Sequence, residues 1–168
     1  MYLELCLVLS VILGMIIILT ALYGRELYRL AVICMFIGYI AGLVYFTFFW
    51  GNRAGLSSFD YKVDFPIVKS LFALEYGSGV HTPFMNLCLF VPMGYLLPQT
   101  FKLKWWQVVL IGIGVTLSIE LLQPTISRGA FQVNDLIENS IGTVVGLVLY
   151  AVTVSVRASH ISSKSSAG

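Results

Sequence analysis

The chain has 168 residues, 58% of them apolar and 11% charged, with a mean hydropathy of +0.91. A soluble domain carries about 25% charge and a disordered chain is biased the other way, so neither class fits and a lipid bilayer is the natural solvent. The net charge of +2 is too small to point to nucleic acid, and the length suits one compact membrane domain.

Five apolar stretches, 3–23, 30–50, 83–101, 105–123 and 136–156, are long enough or nearly long enough to cross a bilayer as helices. The first has no basic residue ahead of it and is too long for a cleavable signal peptide, so it is expected to be retained. The second carries Gly38 and Gly42 at close-packing spacing and ends on Trp50, which suits the outer interface. In the loop 51–82, Ile67, Val68, Leu71 and Phe72 share one helical face, opposite Lys69 and Ser70. Asp64 and Pro66 suit the start of a short amphipathic helix over 66–76 in the outer headgroup region, with a partly ordered loop as the alternative.

In the third stretch, Thr82 and Pro83 read as cap and first helical residue, while Pro92 and Pro98 predict a kink or a shallow span. The fourth opens on Trp105 and Trp106 beside Lys104, a cytoplasmic interface anchor, and Pro124 stops it. After the fifth stretch, the Ser-rich tail 160–168 is expected to be disordered. Cys6, Cys34 and Cys88 lie within apolar runs, read as small buried hydrophobes, and show no disulfide or metal spacing. The fold class is an all-α integral membrane protein of about five helices. Residues 1–156 form a single domain and 157–168 a short polar cytoplasmic tail.

Basic residues set the orientation. Arg25, Arg29, Lys102, Lys104, Arg157 and Lys164 fall in segments 24–29, 102–104 and 157–168, six in 21 residues; the other side has Arg53, Lys62, Lys69 and Arg128, four in 46. The N-terminus is therefore expected outside and the C-terminus in the cytoplasm.

That orientation brings a set of polar residues to similar depth near the outer face. Asn86 lies in the third stretch, Glu120 and Gln123 in the fourth, Arg128 in the loop, and Asp135, Glu138 and Asn139 at the start of the fifth. Thr116, Glu120 and Gln123 form one helical stripe; Asp135, Glu138, Asn139 and Gly142 form another, which Gly146 continues. The polar and the close-packing stripes coincide, so these side chains are expected to point inward. A carboxylate within a span is costly, and Arg128 is the expected partner of Glu120. There are plainer readings: Asp135 and Glu138 as a helix cap and its third-position partner, Asn86 as a helix cross-link, His81 as a loop histidine.

The run Asn86-Leu-Cys-Leu-Phe-Val-Pro92-Met-Gly94 resembles the N-x-x-x-F-x-P-x-G signature of VanZ-like membrane proteins. Ser118-Ile-Glu120-Leu-Leu-Gln123 resembles their S-x-x-E-x-x-Q helix end, with the serine one position closer to the glutamate. Arg128 through Asn139, followed by Gly142 and Gly146, resembles their R-x-x-D-x-x-D-x-x-x-N-x-x-G-x-x-x-G run. Gln132 stands where the family has the first aspartate of its pair, and Asn134 where an acidic residue is common; Asp135 keeps the acidic position. The resemblance covers about 82–150. It implies a small multi-span protein of the bacterial cell envelope, in a family whose founding member is associated with resistance to teicoplanin, a glycopeptide antibiotic.

Three functions are expected to compete. In the first, Asn86, Glu120, Gln123, Arg128, Asp135 and Asn139 bind a lipid-linked envelope component, such as a cell-wall precursor, or a lipoglycopeptide, in the bacterial plasma membrane. In the second, Glu120 or Asp135 serves a membrane-embedded hydrolase or transferase acting on an envelope lipid; the chain has no H-E-x-x-H or S-x-x-K motif. The third, a small transporter, ranks last because no internal repeat is visible and the charges sit near one face. No cofactor or metal is expected, membrane lipids are the expected surroundings, and either glycine pair would allow a homodimer.

Overall fold

The computed structural model describes residues 25–49, 56–60 and 81–165. The first apolar stretch, 3–23, and the expected amphipathic segment 66–76 lie outside the described residues. In chain order the elements are α1 (Arg25–Phe48), β1 (Leu56–Asp60), α2 (His81–Phe101), α3 (Trp105–Thr125), β2 (Arg128–Gln132) and α4 (Val133–Ser165).

The described residues are mostly helical, and among them three stretches are long and apolar enough to cross a membrane: Tyr28–Phe48, Trp105–Thr125 and Val133–Ser159. Their outward faces are apolar: Leu30, Ile37 and Val44 on α1, Leu110 and Leu121 on α3, and Val148 and Val152 on α4 are all exposed. The buried set includes Thr116, Glu120, Gln123, Glu138, Asn139 and Thr143. Apolar side chains outside and hydrogen-bonding side chains inside is the arrangement a lipid solvent favours, because lipid competes for no polar group. Cys34 belongs to the exposed apolar surface and Cys88 is half-buried, which corrects the expectation that the cysteines are core residues.

Helix α2 lies among the other helices and supplies most of the core. Phe90, Met93 and Leu97 pack with Leu43 of α1 and Val108 of α3. Tyr95 and Leu96 form a second cluster with Met35, Phe36, Tyr39 and Tyr150. The helix runs through both Pro92 and Pro98. It ends where Lys102 turns left-handed (φ 52°) and its N–H reaches Pro98 O at 3.0 Å, a helix-terminating bond that starts the short connection to α3.

The most extensive packing joins α2 and α4, and glycine permits it. A Cβ on Gly142 would strike Leu87 O, one on Gly146 would strike Val91 O, and one on Gly94 would strike Thr143 O. The two backbones therefore touch along three turns, and the helices run parallel. The sequence pair Gly142 and Gly146 thus does the work its spacing suggested. Among the described residues, nothing lies within 4 Å of where a Cβ would stand on Gly38 or Gly42.

Two features depart from the all-α expectation and from the expected ends of the fifth span. Strands β1 and β2 pair in parallel, with Leu56 opposite Arg128 and Asp60 opposite Gln132. Backbone groups leaving α1 and α3 at the same end of the bundle satisfy one another in this way, and the Phe59 and Phe131 rings lie 5.9 Å apart. Helix α4 begins at Val133, before the expected 136, and continues to Ser165, so residues 160–165 of the expected disordered tail are helical. In the turns before that tail, Ser155 donates to Ala151 O at 2.9 Å and Ser159 to Ser155 O at 3.0 Å, so these hydroxyls are satisfied within the helix.

Candidate functional site

The polar stripes read from α3 and α4 meet at the end of the bundle where β1 and β2 lie. Helices α3 and α4 run antiparallel, which sets Glu120 in depth against the start of α4. Three side-chain links join the layer. Asn86 Nδ2 on α2 donates to Glu138 Oε2 on α4 at 3.1 Å. Asn139 Nδ2 on α4 donates to Thr116 Oγ1 on α3 at 2.8 Å. Glu120 Oε2 on α3 accepts the backbone N–H of Gln132, the residue that joins β2 to α4, at 2.8 Å.

Glu120, Glu138 and Asn139 are 2%, 3% and 5% exposed, and the Asn139–Thr116 link is buried at both ends, while Asn86 and Gln132 are half-buried. Glu120 is held at the N-terminal end of α4, where the helix dipole favours a negative charge. Thr143, one turn beyond Asn139, donates to Asn139 O at 3.1 Å and fills the space that a glycine at 112 leaves on α3. The helix approach and the polar layer are therefore parts of one packing arrangement.

Two acceptors in this layer have no donor among the described residues. Glu138 Oε1 and Asn139 Oδ1 are buried, and neither has a hydrogen-bond partner there. An unmade buried hydrogen bond costs about 1–3 kcal/mol, so a pair of neighbouring residues each with a free acceptor marks a place where a hydroxyl, amide or ammonium donor would be stabilised.

Of the six residues expected to form the site, Asn86, Glu120 and Asn139 are drawn into this layer through the links above. Gln123 is buried one turn beyond Glu120, and its side chain packs against Gly129 of β2, where a Cβ would lie 3.2 Å from it. Asp135 is half-buried in the first turn of α4. Arg128 is half-buried on β2. Glu120 Oε2 takes the Gln132 amide, and the expected pairing of Arg128 with Glu120 is not found among the described residues.

Glu138 was expected to point inward on the stripe it shares with Gly142, but it was not among the six expected site residues. Its spacing from Asp135 suggested a capping box, but α4 begins at Val133, so Asp135 already lies inside the helix and Glu138 faces α2. Ser118, part of the signature-like helix end, is exposed and donates to Gly114 O at 2.7 Å, outside the polar layer.

The family model described as VanZ/LLP1 matches residues 8–154. No curated protein and no solved structure matches the chain.

Proposed function

Because the chain belongs to the VanZ/LLP1 family, we propose that it is a multi-pass protein of the bacterial plasma membrane whose polar layer binds a donor-rich envelope ligand: a lipid-linked cell-wall component or a lipoglycopeptide. The observation that carries this reading is the pair of buried acceptors without donors, Glu138 Oε1 and Asn139 Oδ1. Sugar hydroxyls and peptide N–H groups are the donors such ligands bring. Asn86, Glu120, Gln123, Arg128, Asp135 and Asn139 are the proposed ligand-binding residues, and Glu138 joins them. Arg128 supplies a cation for a phosphate or carboxylate on the same ligand.

The uneven distribution of basic residues supports five spans with the N-terminus outside, the polar layer near the outer face and the C-terminus in the cytoplasm. In that orientation the layer meets ligands carried in the outer leaflet. The family association supports a contribution to glycopeptide, specifically teicoplanin, resistance.

The test is equilibrium binding of teicoplanin and of a lipid-linked saccharide to the purified full chain. Saturable binding of either is expected, weakened about tenfold in Glu138→Gln, the size of one lost hydrogen bond to a charged group. Glu120→Gln is expected to weaken it as well. Absence of binding to both ligands contradicts the reading. Cleavage or transfer of the saccharide, abolished by Glu120→Gln, would replace it with the hydrolase or transferase alternative.

A further inference from the structure

At the opposite end of the bundle a cavity of about 400 Å³ opens between the start of α1, the end of α2, the α2–α3 connection and the last third of α4. Tyr28, Tyr95, Gln99, Lys102, Tyr150 and Arg157 are among its lining residues. Glu138 and Arg157 are 19 positions apart on α4, about 28 Å along the helix, so this cavity is separate from the polar layer.

Its chemistry is that of an anion site. Among the described residues, both charged lining residues, Lys102 and Arg157, are cationic, and no carboxylate lines it. The Arg157 guanidinium lies 5.4 Å from the centroid of the Tyr28 ring, and its Nη2 is buried with no hydrogen-bond partner among the described residues. Contact with an aromatic side chain fixes the orientation of the guanidinium. The Tyr28 hydroxyl donates to Gln99 Oε1, and Gln99 Nε2 donates to Tyr95 O at 2.9 Å, so these two side chains are committed to the wall. Tyr95 and Tyr150 meet edge to face, 6.3 Å between centroids, and neither hydroxyl is engaged by a protein group among the described residues. Two cations and two free phenols thus converge on one volume. The left-handed turn at Lys102 brings that residue to the mouth.

The segments at this end of the chain also carry Arg25, Arg29, Lys104 and Lys164 against a single acid, Glu26, so the surrounding field favours an anion. We propose that the cavity binds a phosphate group, with Arg157 and Lys102 as its cationic contacts and the Tyr95 and Tyr150 hydroxyls as further donors. The cavity lies where the apolar helices end, the depth of phospholipid headgroups. The phosphate is supplied either by an anionic lipid or by a soluble phosphate.

The test is the thermal unfolding midpoint of the purified full chain in neutral detergent. Short-chain phosphatidylglycerol, short-chain phosphatidylcholine and inorganic phosphate are each titrated in. Phosphatidylglycerol is expected to raise the midpoint saturably and phosphatidylcholine to leave it unchanged. A matching response to inorganic phosphate assigns a soluble source, and a response to phosphatidylglycerol alone assigns the lipid. Arg157→Gln and Lys102→Gln are each expected to weaken the response about tenfold. Lys164→Gln, a change of the same charge outside the cavity, is expected to leave it intact. If Arg157→Gln does not fold, Lys102→Gln, at an exposed position in the connection, decides the matter. No saturable response to either anion, or an equal loss in Lys164→Gln, overturns the proposal.

Discussion

Asn86 donates to Glu138 across the α2–α4 contact, and Asn139 donates to Thr116 across the α3–α4 contact, so consecutive residues of α4 tie it to two different neighbours. In water such links would be exchanged for hydrogen bonds to solvent. Inside an apolar bundle they fix which faces meet, and each contributes modestly, about 0.6 kcal/mol on average and up to about 1.7. A double-mutant cycle of Asn86→Ala and Glu138→Ala, read by thermal or denaturant unfolding, is expected to give a coupling energy in that range. A coupling indistinguishable from zero would mean that the two side chains do not meet. Residue chemistry was partly legible in the sequence. Glu120 and Asn139 stood out because polar groups in an apolar run demand partners. Glu138 did not, because three-residue spacing after Asp135 is equally the pattern of a helix cap, and only the position of the first helical turn separates the two readings.

Among the elements, the α2–α4 pair is the one the rest are arranged around. Its contact depends on glycines 94, 142 and 146, each of which leaves room only for opposing backbone. Replacing Gly142 or Gly146 with Ala is expected to lower stability by about 1–3 kcal/mol, since backbone cannot shift aside as a flexible side chain can. Gly42→Ala, which meets open space, is expected to be neutral or slightly stabilising, since alanine is the better helix former. Unfolding midpoints of the three variants check this, and equal effects at positions 42 and 146 would contradict the packing described. The i, i+4 spacing of both glycine pairs was visible in the sequence, but spacing alone does not say which pair a neighbour uses. The parallel strands were not legible. Each is five residues long, and their partners lie 72 positions apart, so neither carries a local signal strong enough to be read without the other. Pro92 and Pro98 suggested a kink or a shallow span; α2 carries both through a closely packed core, and it is not among the described stretches long and apolar enough to cross a membrane.

At the scale of the molecule, the bundle has a carboxylate-bearing layer at one end and a cationic, tyrosine-lined cavity at the other. This polarity agrees with the asymmetry of basic residues along the chain, and it predicts sidedness. In a background with Cys6, Cys34 and Cys88 replaced by Ala, Ser58→Cys is expected to react with an impermeant maleimide added to intact cells. Lys104→Cys is expected to react only after the membrane is opened. Both residues are exposed, so the difference reads topology and not burial. The reverse pattern would place the polar layer at the cytoplasmic face and remove its access to outer-leaflet ligands.

Ala130 and Val148 give the most direct test of whether the polar layer receives an envelope ligand. Ala130 is half-buried on β2, on the strand face that also carries Arg128 and Gln132, and Val148 is exposed on the apolar side of α4. A photoreactive side chain at each position, activated in living envelopes, should yield an adduct with a lipid-linked saccharide or glycopeptide from position 130 and ordinary phospholipid from position 148. The adduct at 130 should disappear when Glu138→Gln is added. Identical adducts from both positions, or an adduct at 130 that persists in Glu138→Gln, would contradict the account.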